Sequence, residues 1–139
     1  MPRNISFALT TDQIRDRSKT VTRRIGWKFL KRGDILNACV KCMGLKPGEK
    51  IERLGQIKVI DVRREPLDFM DTTGAAHPNG DREFLMNDLV DYPDDYGNEE
   101  AKKEGFPYMT GSEFVTMFCE HMGGSPVQEV TRIEFEYLT

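Results

Sequence analysis

The stretch Arg15-Asp16-Arg17-Ser18-Lys19-Thr20-Val21-Thr22-Arg23-Arg24 is the most informative part of this sequence. Hydroxyl and cationic side chains alternate in it with almost nothing apolar, and residues 18–27 show no clear periodicity, so we expect a loop or a short extended turn there. Arginine binds phosphate through paired N–H groups, and hydroxyls add hydrogen bonds. The stretch is therefore typical of a turn that binds phosphate or a nucleobase. The alternative interpretation is a solvated basic loop.

The patterns on either side of this stretch predict a mixed α+β fold. Polar and apolar residues alternate like strands over residues 4–9, 35–42, 55–63 and 127–138. Helical signals cover residues 11–17, one turn at 66–70 and an amphipathic helix from Thr110 to Met122. This order, with more strand than helix, favours a small mixed sheet that closes into a β-barrel with flanking helices.

Length and composition indicate one globular domain. The chain has 139 residues, of which 38% are hydrophobic and 31% charged, and these values exclude a disordered chain. We expect a single domain over residues 1–139, with an acidic, loop-rich insertion at about 71–98. No apolar run is long enough to span a membrane, and an odd number of cysteines, three, is typical of a reducing compartment. The expected location is the cytoplasm.

Charge is distributed very unevenly along the chain. Residues 1–64 contain 16 Lys and Arg against 6 Asp and Glu, a balance of +10, whereas residues 65–139 contain 4 against 17, a balance of −13. A basic half is typical of a surface that binds a polyanion, because cations facing phosphates release counterions. The alternative is that the two halves neutralise each other within one fold.

Several short motifs resemble the ASCH domain family. The run Lys19-Thr20-Val21-Thr22-Arg23 is similar to the family's K-T-x-T-x-R signature, and Gly33-Asp34-Ile35-Leu36 is similar to its glycine–aspartate pair. Glu104-Gly105-Phe106 before a helix and the closing strand at Ile133-Glu134-Phe135 follow in the family's order. The sequence is most similar to ASCH proteins carried by bacteriophages. It departs at Arg17, where the family usually has glycine, and in its longer insertion.

This resemblance implies a PUA-like β-barrel and a candidate active site. Some small bacterial members of the family are amidohydrolases that remove the acetyl group of N4-acetylcytidine, using a Lys, a Thr and a Glu that correspond to Lys19, Thr22 and Glu104. We expect the rest of the turn to contact a nucleoside, a nucleotide or RNA; the predicted binding residues are Arg17, Ser18, Thr20, Arg23, Arg24 and Trp27.

The proposed triad contains the groups that amide hydrolysis needs. Thr22 supplies a hydroxyl nucleophile, Glu104 a carboxylate and Lys19 an amine. Burial disfavours the charged form of a lysine, whereas a nearby carboxylate favours it. Two assignments of the roles of Lys19 and Glu104 therefore stay open. Neutral Lys19 deprotonates Thr22 and Glu104 moves the proton, or charged Lys19 stabilises the oxyanion and Glu104 is the base. The structural alternative is a surface ion pair between Lys19 and Glu104.

No metal or other cofactor is expected. Cys39, Cys42, Cys119 and His121 are of the residue types that form zinc sites. Positions three apart on a strand point to opposite faces, and positions two apart on a helix diverge by about 200°, so this set is not expected to converge.

The sequence thus leads to a nucleoside- or nucleotide-binding ASCH protein that hydrolyses the N4-acyl amide of acetylcytidine. The alternative is a non-catalytic RNA- or DNA-binding module, or a nuclease, that uses the basic N-terminal half. The expected polymer partner is RNA or single-stranded DNA. A third interpretation is a phage protein whose acidic insertion binds a host factor. The sequence predicts no membrane partner and does not specify the oligomeric state.

Overall fold

The computed structural model describes residues 3–41, 47–70 and 96–138, which form a mixed α+β fold. Its strands are β1 (Arg3–Ser6), β2 (Val21–Arg24), β3 (Ile35–Cys39), β4 (Arg53–Pro66) and β5 (Glu129–Tyr137). Its α-helices are α1 (Thr11–Arg15), α2 (Tyr96–Lys103) and α3 (Gly111–Met122), and short 3₁₀ helices cover Ala8–Thr10 and Leu67–Met70. The predicted mixed class is confirmed.

The five strands form one curled sheet in the order β1-β3-β4-β5-β2. β1 pairs parallel with β3, whereas β3–β4 and β2–β5 are antiparallel. A bulge at Leu54 shifts the β3–β4 register between Ala38 and Cys39, and bulges increase the bend of a strand. The sheet is therefore mixed and barrel-like, and β1 and β2 are its edge strands.

The described residues divide into two compact units, each with its own core. The first unit spans residues 1–64 and 131–139, and its core combines residues from β1, β3, β4 and β5 with Phe7, Ile14 and Leu30. The second unit spans residues 65–130, and its core contains Leu67, Met70, Ala101, Phe114, Val115, Phe118 and Val130. The single domain expected over residues 1–139 stays a prediction.

Helix α3 is the element that the sequence predicts best. Thr110 accepts a hydrogen bond from the Glu113 N–H at 3.1 Å, and the Glu113 carboxylate accepts one from the Thr110 N–H at 3.0 Å. This reciprocal capping box satisfies two N–H groups at the start of the helix. Phe114, Val115 and Phe118 are buried as its amphipathic pattern predicts, but Met122 is exposed. Within the described ranges, no helix is long and apolar enough to cross a membrane.

Two elements differ from the sequence prediction. Val21–Arg24 is a strand and not a loop, because it pairs with β5 along its whole length. The last residues of the predicted loop-rich insertion, 96–98, are helical, because they belong to the helix Tyr96–Lys103; residues 71–95 lie outside the described residues, and the insertion itself stays a prediction. In the strand Val21–Arg24 and the helix Tyr96–Lys103, several of the buried side chains are polar. The apolar periodicity that usually identifies a strand or a helix in a sequence is therefore missing.

Gly97 in α2 and Gly111 in α3 allow two helices to approach the carbonyl group of Met70. A Cβ atom at either position would overlap the Met70 carbonyl oxygen, and one at Gly111 would also crowd the Gly97 Cα at 2.7 Å. The close approach of three elements in the second unit therefore requires glycine at both positions.

We predict that Gly97→Ala and Gly111→Ala each lower the free energy of unfolding by about 2 kcal/mol or more, because the backbone must move to admit a methyl group. Gly123→Ala is the control: its φ is 83° and no atom lies within 4 Å of the added Cβ, so only conformational strain of about 1 kcal/mol is expected. Urea unfolding of the three variants measures the difference. Equal losses at all three positions would contradict the close-approach argument.

Candidate functional site

The end of α1 places Lys19 at the start of the candidate site. Arg17, which follows the C-cap residue Asp16, has a φ of 64°, and its N–H donates to the Ile14 carbonyl at 3.2 Å. The Lys19 N–H then donates to the Gln13 carbonyl at 3.2 Å, and the Tyr137 hydroxyl donates to the Lys19 carbonyl at 2.5 Å. Both backbone groups of Lys19 are therefore fixed.

The register of β2 sorts its side chains onto two faces of the sheet. Thr22 lies opposite Ile133, a residue of the first core, and Arg24 lies two positions further on the same face. Val21 and Arg23 lie on the other face, where Arg23 is opposite Arg132. Thr22 and Arg24 are therefore neighbours, whereas Arg23 projects away from them.

Arg24 connects Thr22 to the opposite edge of the sheet. Its Nε donates to the Thr22 hydroxyl oxygen at 3.1 Å, and its Nη2 donates to the Ser6 carbonyl at 2.5 Å. Because Ser6 ends β1 and Arg24 ends β2, one guanidinium group links the two edge strands. It also lies over the Phe7 ring, with Cζ 4.9 Å from the ring centroid.

Lys19 contacts the same aromatic ring from a buried position. Lys19 is only 2% exposed, and its Nζ lies 6.0 Å from the centroid of the Phe7 ring. An aromatic ring attracts cations to its faces, and this attraction offsets part of the cost of removing charges from water. Lys19 and Arg24 thus both lie near the Phe7 ring, and together with Thr22, to which Arg24 donates, they are called the polar cluster.

This polar cluster suits nucleophilic chemistry at the Thr22 hydroxyl. A hydroxyl oxygen that accepts a hydrogen bond from a guanidinium group is stabilised as negative charge develops on it. Its own proton remains available for donation to a base. The sequence predicted Arg24 as a substrate-binding residue, and the structure shows that two of its N–H groups hold Thr22 and Ser6.

Tyr137 connects the turn before β2 to the last strand. Burial, the largest cause, and the Asp16 carboxylate together raise the pKa of Tyr137 to about 12, against the lowering effect of the Arg17 cation. The Arg17 guanidinium lies 5.4 Å from the centroid of the Tyr137 ring. Hydrogen bonds from the Ser18 side chain and backbone lower the pKa of Asp16. The phenol is therefore held in its protonated, donating form at neutral pH.

Glu104 lies in the second unit, at the end of α2. The Gly105 N–H donates to the Lys102 carbonyl at 3.0 Å and the Phe106 N–H to the Ala101 carbonyl at 2.9 Å, which is the Schellman pattern that ends helices. Gly105 has a φ of 101°, a conformation that favours glycine. The Glu104-Gly105-Phe106 motif therefore ends a helix, and Glu104 itself is buried.

The sequence did not reveal that further carboxylates are buried in the second unit. The Tyr96 hydroxyl lies 3.0 and 3.1 Å from the two Glu65 carboxylate oxygens and 3.3 Å from Glu100 Oε1. Lys103 pairs with Glu100 at 3.3 Å. The only sequence signal is the four-residue spacing of Tyr96, Glu100 and Glu104, which places all three on one face of α2.

The remaining predicted site residues have different environments. Ser18 is exposed, and its N–H donates to Asp16 at 2.8 Å, whereas Thr20 is half-buried and its carbonyl accepts from the Phe135 N–H at 3.0 Å. Arg23 is buried. Trp27 is half-buried, has a φ of 54° and packs against the first core. Their contacts with a substrate stay predictions, as does the joint action of Lys19 and Thr22 with Glu104.

The structure describes two of the three cysteine residues. Cys39 is buried and its thiol donates to the Asn37 carbonyl at 3.5 Å, and Cys119 is half-buried on α3. Cys42 lies outside the described residues. In residues 3–41, 47–70 and 96–138, no three His, Cys, Asp or Glu side chains are grouped so that they could hold a metal ion.

The fold is shared with a protein of known structure. No family model matches the sequence, and no curated protein matches it. The chain is similar to protein EF3133 from Enterococcus faecalis V583, a crystal structure described with the family model DUF984, with a TM-score of 0.55. The similarity covers 99% of this chain and 80% of that chain at 15% identity. It establishes a common fold for the two proteins and leaves the activity to be argued from the site.

We predict that Arg17→Gly is more stable than Arg17→Ala by about 1 kcal/mol. Both variants lose the contact with Tyr137, but only glycine relieves the left-handed backbone. The control is Arg15, the last residue of α1, which has helical backbone, so that alanine is favoured over glycine there by up to about 1 kcal/mol. Denaturant unfolding of the four variants tests the prediction, and an alanine that equals glycine at position 17 would contradict it.

We predict that Tyr137→Phe lowers the free energy of unfolding by about 0.5–1.5 kcal/mol at pH 8, because the Lys19 carbonyl loses its donor. The folded pKa is raised, so the stabilisation is complete below the unfolded pKa of about 10 and is lost as the pH rises towards about 12. The difference in stability between wild type and Tyr137→Phe should therefore shrink above pH 10. Unfolding curves from pH 8 to pH 12 measure it, and a constant difference would count against the assignment.

Proposed function

We propose that this protein is an ASCH-type, PUA-like protein that binds a modified nucleoside or nucleotide at the Lys19–Thr22 turn and hydrolyses the N4-acyl amide of acetylcytidine. The observation that carries the proposal is the hydrogen bond from Arg24 to the buried Thr22 hydroxyl, together with the burial of Lys19 near the Phe7 ring that Arg24 also contacts. Buried cations are costly in a protein interior. Buried charged groups near a positioned hydroxyl are characteristic of functional sites.

In the proposed reaction, the Thr22 oxygen attacks the acetyl carbonyl carbon on N4. The C–N bond breaks, the cytosine amine leaves with a proton, and water hydrolyses the resulting ester to release acetate. Arg24 orients Thr22 and stabilises negative charge on its oxygen. Lys19 and Glu104 are the groups that hold or move protons, with Glu104 assigned from the family resemblance.

The low exposure of the cluster supports chemistry over surface binding. Thr22 is 3% exposed and Lys19 2%, so these groups are largely shielded from bulk water. Electrostatic effects on a developing charge are stronger where water is excluded. A turn that only attracts phosphate would keep its cations in solvent.

We predict that Thr22→Val lowers the turnover of N4-acetylcytidine by at least a thousandfold, because the covalent route needs the hydroxyl. Affinity for the product cytidine should change by one hydrogen bond at most, about 0.5–1.5 kcal/mol. Mass spectrometry of released cytidine and calorimetry measure the two effects.

The matched control is Thr131→Val. Thr131 is equally buried in β5, and its hydroxyl donates to the Gly26 carbonyl. This variant loses a buried hydroxyl in the same unit but no proposed nucleophile, so its turnover should stay within about tenfold of wild type. If Thr22→Val also stays within tenfold, Thr22 is not the nucleophile.

Wild-type protein with no turnover of N4-acetylcytidine would refute the amidohydrolase assignment. The non-catalytic alternative, an RNA- or DNA-binding module that uses the basic N-terminal half, would then be favoured. Nucleoside panels carrying other acyl or methyl groups distinguish a different substrate from a purely binding role.

A further inference from the structure

A cleft lies at the start of β1, at the opposite end of that strand from Ser6, to which Arg24 donates. It has a volume of about 420 Å³ and is lined by Arg3, Phe29, Leu30, Gly33, Asp34, Ile35 and Leu36. Arg3 begins β1 and Ser6 ends it, so these two residues are separated by about 10 Å of strand. All residues of this cleft belong to the first unit.

The cleft contains a stack of flat groups. The Phe29 ring lies 5.4 Å from the Trp27 ring, with an angle of 32° between them, and Arg3 Cζ lies 4.4 Å from the Phe29 centroid. Trp27 is anchored in the first core, whereas Phe29 is 49% exposed. The stack is therefore fixed at its inner end and accessible at its outer end.

Five exposed cations lie on the chain segments that carry this stack or directly opposite them in the sheet. Arg3, Lys28, Lys31 and Arg32 are exposed, and so is Lys58, which lies opposite Ile35 across the β3–β4 pair. Within the part of the chain that the structure describes, none of these five side chains makes a hydrogen bond or an ion pair. By contrast, exposed Arg15 in the same unit pairs with Glu52.

The cleft has one carboxylate among its lining residues, Asp34. That carboxylate accepts the Lys31 N–H at 2.9 Å and so stabilises the turn. The lining itself thus carries one cation, Arg3, and one carboxylate, Asp34, and the four further exposed cations on the adjoining segments make the surface around the aromatic stack basic. This combination is the one by which proteins bind single-stranded nucleic acid, where cations contact the phosphates and flat groups stack on the bases.

We propose that this cleft, defined by Arg3, Phe29 and Ile35 with the surrounding cations, binds single-stranded nucleic acid. A base stacks on the Arg3–Phe29 stack, and Lys28, Lys31, Arg32 and Lys58 contact the phosphates on either side. Duplexes do not fit this mode, because their bases are already stacked on each other and only unpaired bases are free to enter. The site is separate from the proposed hydrolytic centre and does not depend on it.

The test is the fluorescence anisotropy of a labelled twelve-nucleotide RNA of uridines. We expect binding at about 50 mM salt, with log affinity falling against log salt by about 0.7 for each phosphate contacted. Arg3→Gln and Phe29→Leu should each weaken binding about fivefold or more. DNA of matching sequence reports any contribution of the 2′-hydroxyl, and duplex RNA should bind more weakly than the single strand.

Arg53→Gln is the matched control. Arg53 is exposed in the same unit and lies opposite Cys39, at the other end of β3 from Ile35. The substitution therefore removes one arginine charge, as Arg3→Gln does, but at a position outside the cleft. Its effect should be less than twofold. Absence of binding at 50 mM salt, equal losses for Arg53→Gln and Arg3→Gln, or duplex binding as tight as single-strand binding would overturn the proposal. Should Phe29→Leu fail to fold in a thermal melt, Arg3→Gln and Arg32→Gln decide the question.

Binding and hydrolysis can fail independently. Arg3→Gln should leave the turnover of free N4-acetylcytidine unchanged, and Thr22→Val should leave RNA affinity unchanged. RNA binding without turnover in the wild type would support the cleft and refute the hydrolase, and turnover without RNA binding would do the reverse.

Discussion

The guanidinium group of Arg24 links the two edges of the curled sheet, and the rest of the first unit depends on this link. Open edges of a sheet expose unpaired backbone groups, and here the Ser6 carbonyl at the end of β1 accepts a hydrogen bond from the end of β2. A lysine has a single compact donor group, whereas the arginine fork reaches two acceptors in fixed directions. The same guanidinium therefore holds Ser6 and Thr22 at once.

Buried charges are a second constraint, and they appear in both units. Lys19, Arg23 and Arg132 are almost inaccessible in the first unit, and Glu65, Glu100 and Glu104 are almost inaccessible in the second. Within the first unit, Arg132 lies 3.3 Å from Glu134 and 3.8 Å from Asp61. Removing one member of such a pair leaves an uncompensated charge in the interior. The uneven charge along the sequence is therefore partly a property of the interior and not only of solvated surfaces.

Sequence patterns predicted the elements whose buried faces are apolar, and they failed where buried faces are polar. Helix α3 and the terminal strand β5 were recognised because Phe114, Phe118, Ile133 and Phe135 follow the periods of a helix and a strand. Strand β2 was missed because Thr22 and Arg23 are both buried although neither is apolar. Helix α2 was missed because Tyr96 and Glu100 form its buried face. The family resemblance compensated in part, since it singled out Lys19 and Thr22 without revealing how they are held.

Arg17 shows why the candidate site could not be derived from local rules alone. The left-handed backbone at this position favours glycine, and arginine is retained there with its guanidinium over the Tyr137 ring. Tyr137 in turn donates to the carbonyl of Lys19. The strain at Arg17 is thus offset by contacts with Tyr137, which is more than a hundred residues away in the sequence. A local sequence pattern cannot predict this contact, because such a pattern covers only neighbouring residues. The position of Lys19 is consequently a property of the folded first unit, so that changes in β5 reach the candidate site without touching any residue of the turn.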